Sequence, residues 1–111
     1  MLRKSLRERR AVIPTKHFYE WDKEKTKTAF FHPAEPVTYL AGFWNAFSGE
    51  KKFVVLTTEA NTSMSDVHNR MPVLLQEKEI EDWLEDDVFM ELALRRIPYL
   101  LSREAIASKG L

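Results

Sequence analysis

The chain contains no cysteine, which excludes disulfide stapling, thiolate–metal sites and a cysteine nucleophile among its residues. Glycine is scarce: Gly42, Gly49 and Gly110 are scattered, so no phosphate-cradling loop is present. No apolar run approaches the roughly eighteen residues that span a bilayer. The opening Met1-Leu2-Arg3-Lys4-Ser5-Leu6-Arg7 is basic but lacks the apolar stretch of a signal peptide. The expectation is a cytoplasmic protein with no membrane partner. Net charge is missing too, since 17 Lys and Arg balance 17 Asp and Glu. That argues against strong non-specific nucleic-acid binding, whose affinity comes largely from neutralised phosphate charge. His17, His32 and His68 show no metal-ligand spacing, and no nucleophile elbow surrounds a serine or threonine. Neither a metal nor a cofactor is expected.

What is present suffices for one packed domain. The chain has 111 residues, 44% of them hydrophobic, with three tryptophans, three tyrosines and seven phenylalanines, so a core is attainable and disorder is not expected. Charge is distributed unevenly. Arg3, Lys4, Arg7, Arg9 and Arg10 face only Glu8 in residues 1–10, whereas residues 77–91 are dominated by Glu and Asp. One end can face an anion and the other repels it.

The first ten residues read as a short helix or a basic arm. Ala11–Pro14, His17–Trp21 and Thr28–His32 read as short strands, the last two forming a hairpin across the polar run Asp22–Lys27. Val37–Trp44 is a longer strand in which Gly42 marks a close backbone approach or a bulge. Lys52–Thr57 is an apolar run typical of a central strand. Asn61 or Thr62 can cap a short turn through Val67, and Val73–Leu75 is one more strand. Ile80, Trp83 and Leu84 fall at helical spacing with an acidic outer face. Val88–Arg96 and Arg103–Lys109 are weaker helical candidates. The expected class is α+β, a mostly antiparallel sheet or partial β-barrel followed by short helices.

Two segments can carry chemistry. In Phe18-Tyr19-Glu20-Trp21, Glu20 shares a strand face with Phe18, while Tyr19 and Trp21 point the other way. A carboxylate beside aromatics loses hydration, which suits it to proton transfer near neutral pH. Spacing alone favours the plainer account, an exposed glutamate on a strand whose other face is core. In Val67-His68-Asn69-Arg70-Met71-Pro72, an extended approach to Pro72 puts His68 and Arg70 on one side, where they can hold a phosphate, carbonyl or carboxylate. The plainer account there is a surface histidine near an arginine paired to an acid.

Five blocks in order resemble the SRAP family, the SOS-response-associated peptidases, whose members shield abasic sites in single-stranded DNA. They are Arg9-Arg10-Ala11-Val12-Ile13-Pro14, Phe18-Tyr19-Glu20-Trp21, Leu40-Ala41-Gly42-Phe43-Trp44, Leu56-Thr57-Thr58-Glu59-Ala60 and His68-Asn69-Arg70-Met71-Pro72-Val73-Leu74-Leu75. The resemblance runs from about Arg9 to about Leu101 and covers the family's central and C-terminal part. It implies that Glu20 and His68 are catalytic, shuttling protons and polarising the sugar's aldehyde oxygen. It implies that Arg70 and Thr57 lie in the DNA groove, with Arg9 and Arg10 as further DNA contacts. The implied partner is single-stranded DNA carrying abasic sites.

The family's chemistry also needs a cysteine at position two, whose amine and thiol convert the ring-opened abasic aldehyde to a Schiff base and then a thiazolidine. Here position two is Leu2, and nothing before Arg9 matches the family's Asn-Ala-Arg block. Ala11 stands where the family usually has cysteine, and His17 replaces its usual glycine. The expected organisation is therefore a basic arm or helix over 1–10 and a partial SRAP domain over 11–111. Without a thiol the thiazolidine cannot form, and a sheet lacking the family's N-terminal strands must expose an edge, which a homodimer, an N-terminal half supplied in trans or the basic arm can cover. Three functions compete. The chain is a truncated SRAP protein that binds single strands but cannot crosslink alone, half of a split SRAP enzyme completed by a Cys-bearing partner, or a non-catalytic protein-interaction module. Whether it is an enzyme stays open at this point.

Overall fold

The computed structural model describes residues 2–108. Its first half is α1 (Leu2–Glu8), β1 (Arg10–Thr15), β2 (Phe18–Trp21), β3 (Thr26–Phe31), β4 (Thr38–Phe47) and β5 (Glu50–Val55). The second half is β6 (Thr57–Glu59), β7 (Arg70–Pro72), β8 (Leu74–Leu75), a 3-10 turn at Glu77–Glu79, α2 (Ile80–Glu85), α3 (Asp87–Arg95) and β9 (Ser102–Ser108).

Leu40, Ala41, Gly42 and Phe43 are all buried, so the strand bearing them must be covered on both faces. Strand β4 pairs antiparallel with β1 along one edge and with β5 and β8 along the other. Its alternating side chains enter two cores. Leu40 joins Phe30, Met64, Met71, Leu74 and Leu101, with Phe18 and Ile13 packed against them. Ala41 joins Val73, Leu75, Trp83, Met90 and Ala93, with Leu6 and Val12 packed against them. The first core lies under the sheet β2-β3-β9 and the second under the helices. The architecture is α+β, built from three separate antiparallel sheets and not from a closed barrel.

Gly42 lies between Ala11 on one neighbouring strand and Val55 on the other. A Cβ there would stand 2.2 Å from the Val54 carbonyl oxygen and 2.9 Å from Ile13 Cδ1, so the glycine serves a close approach rather than a bulge.

Two readings of the sequence are corrected. The segment Arg103–Lys109, read as helical, is strand β9 through Ser108, hydrogen-bonded to β3 from Thr26 to Phe31. Pairing with an open strand edge overrides helix propensity, which is worth only tenths of a kcal/mol per residue. Lys109, like Met1, Gly110 and Leu111, lies outside the described residues. The run Lys52–Thr57, read as a central strand, is divided between β5 and β6, and β5 ends its sheet, with most of its side chains exposed.

The helices are held to the sheet by Arg10. Its side chain is 2% exposed and pairs with Asp87 at 3.0 Å. The guanidinium donates from Nε to the Trp83 carbonyl and from Nη1 to the Leu6 carbonyl, 2.9 Å away. Trp83 answers by donating Nε1–H to the carbonyl of Ala11 at 3.0 Å. A second clamp joins Arg96 to Glu79 through two hydrogen bonds of 2.8 and 2.7 Å, beside the Arg96 bond to the Leu74 carbonyl at 3.2 Å.

Replacing Arg10 by alanine leaves the buried Trp83 carbonyl without its donor and should lower the unfolding free energy by about 2–4 kcal/mol in urea titration. Arg10→Met refills the space and should recover part of that loss.

The Arg96 hydrogen bonds hold the Glu79 carboxyl below its ordinary 4.5. A depressed carboxyl stabilises the fold fully above its unfolded value, and the contribution disappears as pH falls through the folded one. Glu79→Gln should therefore cost roughly 1–2 kcal/mol at pH 7, and its unfolding midpoint should converge with that of the parent chain as the pH drops below about 4.

Candidate nucleic-acid interface

Strand β2 alternates as its composition requires. Phe18 turns inward and stacks on Phe30, with centroids 5.6 Å apart. Glu20 shares that side, is half-buried, and stands opposite the buried Thr28 of β3. Tyr19 and Trp21 face outward, and Lys27 lays its ammonium 4.4 Å from the Tyr19 ring and 5.5 Å from the Trp21 ring. His17 packs edge-on against Phe31 at 5.1 Å.

The turn after β2 is organised by Asp22, whose Oδ1 accepts from the backbone N–H groups of Glu24 and Thr26, both at 2.9 Å. That turn, Trp21–Glu24, forms one wall of an open depression of about 830 Å³. The opposite wall is Ser65–Asn69, which carries His68. Glu20 immediately precedes the first wall and does not itself line the depression.

The approach to Pro72 is extended over Arg70–Pro72 as strand β7, and the segment bends just before it. Asn69 lies in a bend, and His68 Nδ1 folds back to 3.2 Å from the Arg70 backbone N–H. The same Nδ1 lies 3.2 Å from the Arg70 carbonyl, so it accepts from the one group or donates to the other according to the tautomer. One residue on, strand pairing fixes Thr57 opposite Pro72 and Glu59 opposite Arg70. The Arg70 guanidinium leans diagonally to Thr57, with Nη2 donating to its carbonyl at 2.9 Å and to Oγ1 at 3.2 Å. His68, Arg70 and Thr57 therefore form one exposed, connected cluster, of which His68 lines the depression.

Arg70 differs from the other arginines in its charge balance. Arg7, Arg9, Arg10, Arg95, Arg96 and Arg103 each pair with a carboxylate. Among the described side chains Arg70 is the arginine that does not, because its partners are the neutral oxygens of Thr57. An exposed guanidinium held in place without a counterion is suited to a phosphate.

Arg9 and Arg10 are placed elsewhere. Arg9 lies 5.5 Å over the Trp44 ring and donates to Ser5 Oγ at 2.6 Å. The expectation that Arg10 faces DNA is revised, since its buried guanidinium is committed to Trp83, Leu6, Met90 and Asp87. Neither arginine lines the depression.

The residue pair that positions the His68 wall was missed in the sequence. Arg103 of β9 grips Asp66 with two hydrogen bonds of 2.7 and 2.8 Å. These bonds hold the Asp66 carboxyl below its ordinary value and raise Arg103. No local pattern announces a pair so far apart in the chain. Among the described residues, no group of three or more His, Cys, Asp or Glu could hold a metal ion, and no helix is long and apolar enough to cross a membrane.

The family model of the SOS response associated peptidase (SRAP) matches residues 1–106. The chain belongs to the SRAP family. Among its relatives, the abasic site processing protein YoqW of Bacillus subtilis (strain 168) is 33% identical over 91 residues, covering 74% of this chain and 41% of YoqW. YoaM of the same organism, also an abasic site processing protein, is 31% identical over 91 residues, covering 74% of this chain and 40% of YoaM. The chain thus spans about two fifths of the length of these curated relatives. A solved protein from Bacteroides thetaiotaomicron superposes with a TM-score of 0.80 at 22% identity, over 95% of this chain and 52% of its own. One from Bordetella bronchiseptica gives 0.78 at 24% identity, over 95% of this chain and 58% of its own. At these identities the two structures establish the SRAP chain's fold alone.

Arg103→Ala should release the His68 wall without unfolding the domain. Hydrogen exchange is expected to quicken at the amides of Val67 and His68, which bond to the Met64 carbonyl, while the melting temperature hardly moves.

Proposed function

We propose that this chain acts in the DNA-damage response as the groove-bearing part of an SRAP protein, contacting single-stranded DNA at abasic sites. The observation that carries this reading is the exposed guanidinium of Arg70, held by the neutral oxygens of Thr57 and next but one in the chain to His68, which lines an open depression. Its charge is free to replace a condensed counterion on a phosphate, which is the main source of affinity for a polyanion. The names of YoqW and YoaM, abasic site processing proteins, point the same way.

In this reading Arg70 and Thr57 hold backbone phosphate, and His68 Nε2 and the Glu20 carboxylate handle the protons of a ring-opened abasic sugar. Glu20, half-buried beside Phe18, needs the strand to approach the Trp21 end of β2. General acid–base groups of this kind reach their proton directly or through one water. The sulfur step of the family's chemistry has no counterpart among these residues, because the chain holds no cysteine. A thiazolidine therefore cannot form from these residues alone, and binding is reversible.

Fluorescence anisotropy with a labelled single-stranded oligonucleotide tests the reading. Binding should be weak and salt-sensitive. Arg70→Ala should lower affinity roughly five- to tenfold and reduce the slope of log K against log salt by about one. An abasic oligonucleotide should leave no shifted band on a denaturing gel. An Arg70→Ala variant that binds as tightly as the parent, or an adduct surviving denaturation, would refute the corresponding half of the proposal.

A further inference from the structure

We infer that the groove between α1 and α3, together with the apolar stripe on the outer side of α3, docks an amphipathic helix with a basic polar face, supplied by another protein. The inference goes beyond the DNA contact proposed above and does not depend on it.

Three observations converge. First, α3 is apolar on two sides. Met90 and Ala93 point into the core, with Phe89 and Leu94 packed against it, while Val88 and Leu92 stand outward, 79% and 54% exposed. A helix lying on a surface needs one apolar stripe, and a second one calls for cover on the outer side. Val88 and Leu92 are one turn apart and adjoin on the helix. Leu84, also exposed, precedes them on α2. Second, the stripe borders a groove of about 420 Å³, lined by Leu6 and Arg7 of α1 and by Asp87, Val88, Met90 and Glu91 of α3. Third, the charge around it is unbalanced. Arg7 and Arg95 are engaged, at 3.8 Å with Asp87 and at 3.4 Å with Glu91. Glu81, Asp82 and Glu85 of α2 are exposed, and among the described residues no lysine or arginine pairs with any of them. Glu81 and Glu85 lie one turn apart and flank Leu84.

These features specify the occupant. A helix laid in a groove anchors by apolar side chains repeated every three or four residues, and Leu6, Met90, Val88 and Leu92 are apolar seats for them. Neither wall is a strand, so no backbone edge is offered to a β-strand. The partner's lysines or arginines then meet Glu81, Asp82 and Glu85, a charge complementarity that steers association and fixes orientation. An isologous contact with a second copy of this chain would set the same carboxylates against one another. The basic residues such a copy could offer there, Arg7 and Arg95, are already paired. A nucleic acid or an anionic lipid surface meets the same carboxylates and is repelled.

The test titrates the 111-residue chain with a synthetic amphipathic helix of leucine and lysine, and with its counterpart of leucine and glutamate. Binding is followed by fluorescence anisotropy and by the backbone amide resonances of the chain. The lysine helix should bind saturably, at least roughly tenfold tighter than the glutamate helix, and its largest resonance shifts should fall in α1 and α3. Val88→Ser and Leu92→Ser should each weaken binding by roughly tenfold, while the melting temperature holds because both side chains are exposed. Glu81→Lys combined with Glu85→Lys should weaken the lysine helix and strengthen the glutamate helix, each by roughly fivefold or more. That reversal separates charge recognition from general adhesion to apolar surface. Arg70→Ala should bind the lysine helix as the parent does, which separates this proposal from the DNA reading. The proposal is overturned if the lysine helix does not bind, if the Val88 and Leu92 variants bind it undiminished, or if the shifts lie away from α1 and α3. It is equally overturned if sedimentation shows the chain associating with itself through Val88, or if a single-stranded oligonucleotide shifts the same amides.

Discussion

A guanidinium buried under three helices is the constraint on which the remainder of this domain is arranged. Arg10 and Ala11 are neighbours at the start of β1. One donates to the backbone of Trp83 and the other accepts from its indole. The exchange fixes the register between the first strand and a helix more than seventy positions away. It also ties in α1 through Leu6 and α3 through Asp87 and Met90. A buried charge is tolerated only when its donors are used, so this one dictates where each helix end must sit. The helices then cover one face of β4, leaving the other face for the β2-β3-β9 sheet and the loop that carries His68.

The same physics explains why the acidic stretch is less of an anion barrier than its composition implies. Asp87 answers Arg10 and Arg7, Glu91 answers Arg95, and Glu79 answers Arg96. Asp86 caps α3 by accepting from the backbone of Val88 and Phe89. Part of the acidic charge in this stretch is therefore spent on internal pairings. What matters for a polyanion is the cations those pairings leave over, and among the described arginine side chains Arg70 is the one without a carboxylate partner.

Much of the architecture was legible because its signals are local. The two-residue alternation of β2, the apolar run of β4 and the helical spacing of Ile80, Trp83 and Leu84 all survive in the structure. The misreadings share one cause, dependence on a distant partner. Arg103-Glu104-Ala105-Ile106-Ala107 carries good helix formers and becomes a strand only because β3 offers it an edge. Lys52–Thr57 has the composition of an interior strand and lies at a boundary. For the candidate site, Glu20, His68, Arg70 and Thr57 stood out within their motifs, and the last three meet in one cluster. Arg9 and Arg10 show the limit of the method, since two adjacent identical residues go to a surface stack and a buried lock. Their strand positions differ by one, which sends their side chains to opposite faces.

That one-residue difference bears on where the domain spends its charge. Residues that hold the fold spend their charge inward: Arg10 on the helices, Arg96 on the turn before α2, Arg103 on the wall behind His68. Arg70 is instead positioned by neutral groups, which orient a guanidinium without cancelling it. Converting the Thr57 contact to a carboxylate would strengthen the local structure and remove the free charge at the same time. A site of this kind is a place where maximal pairing has been forgone.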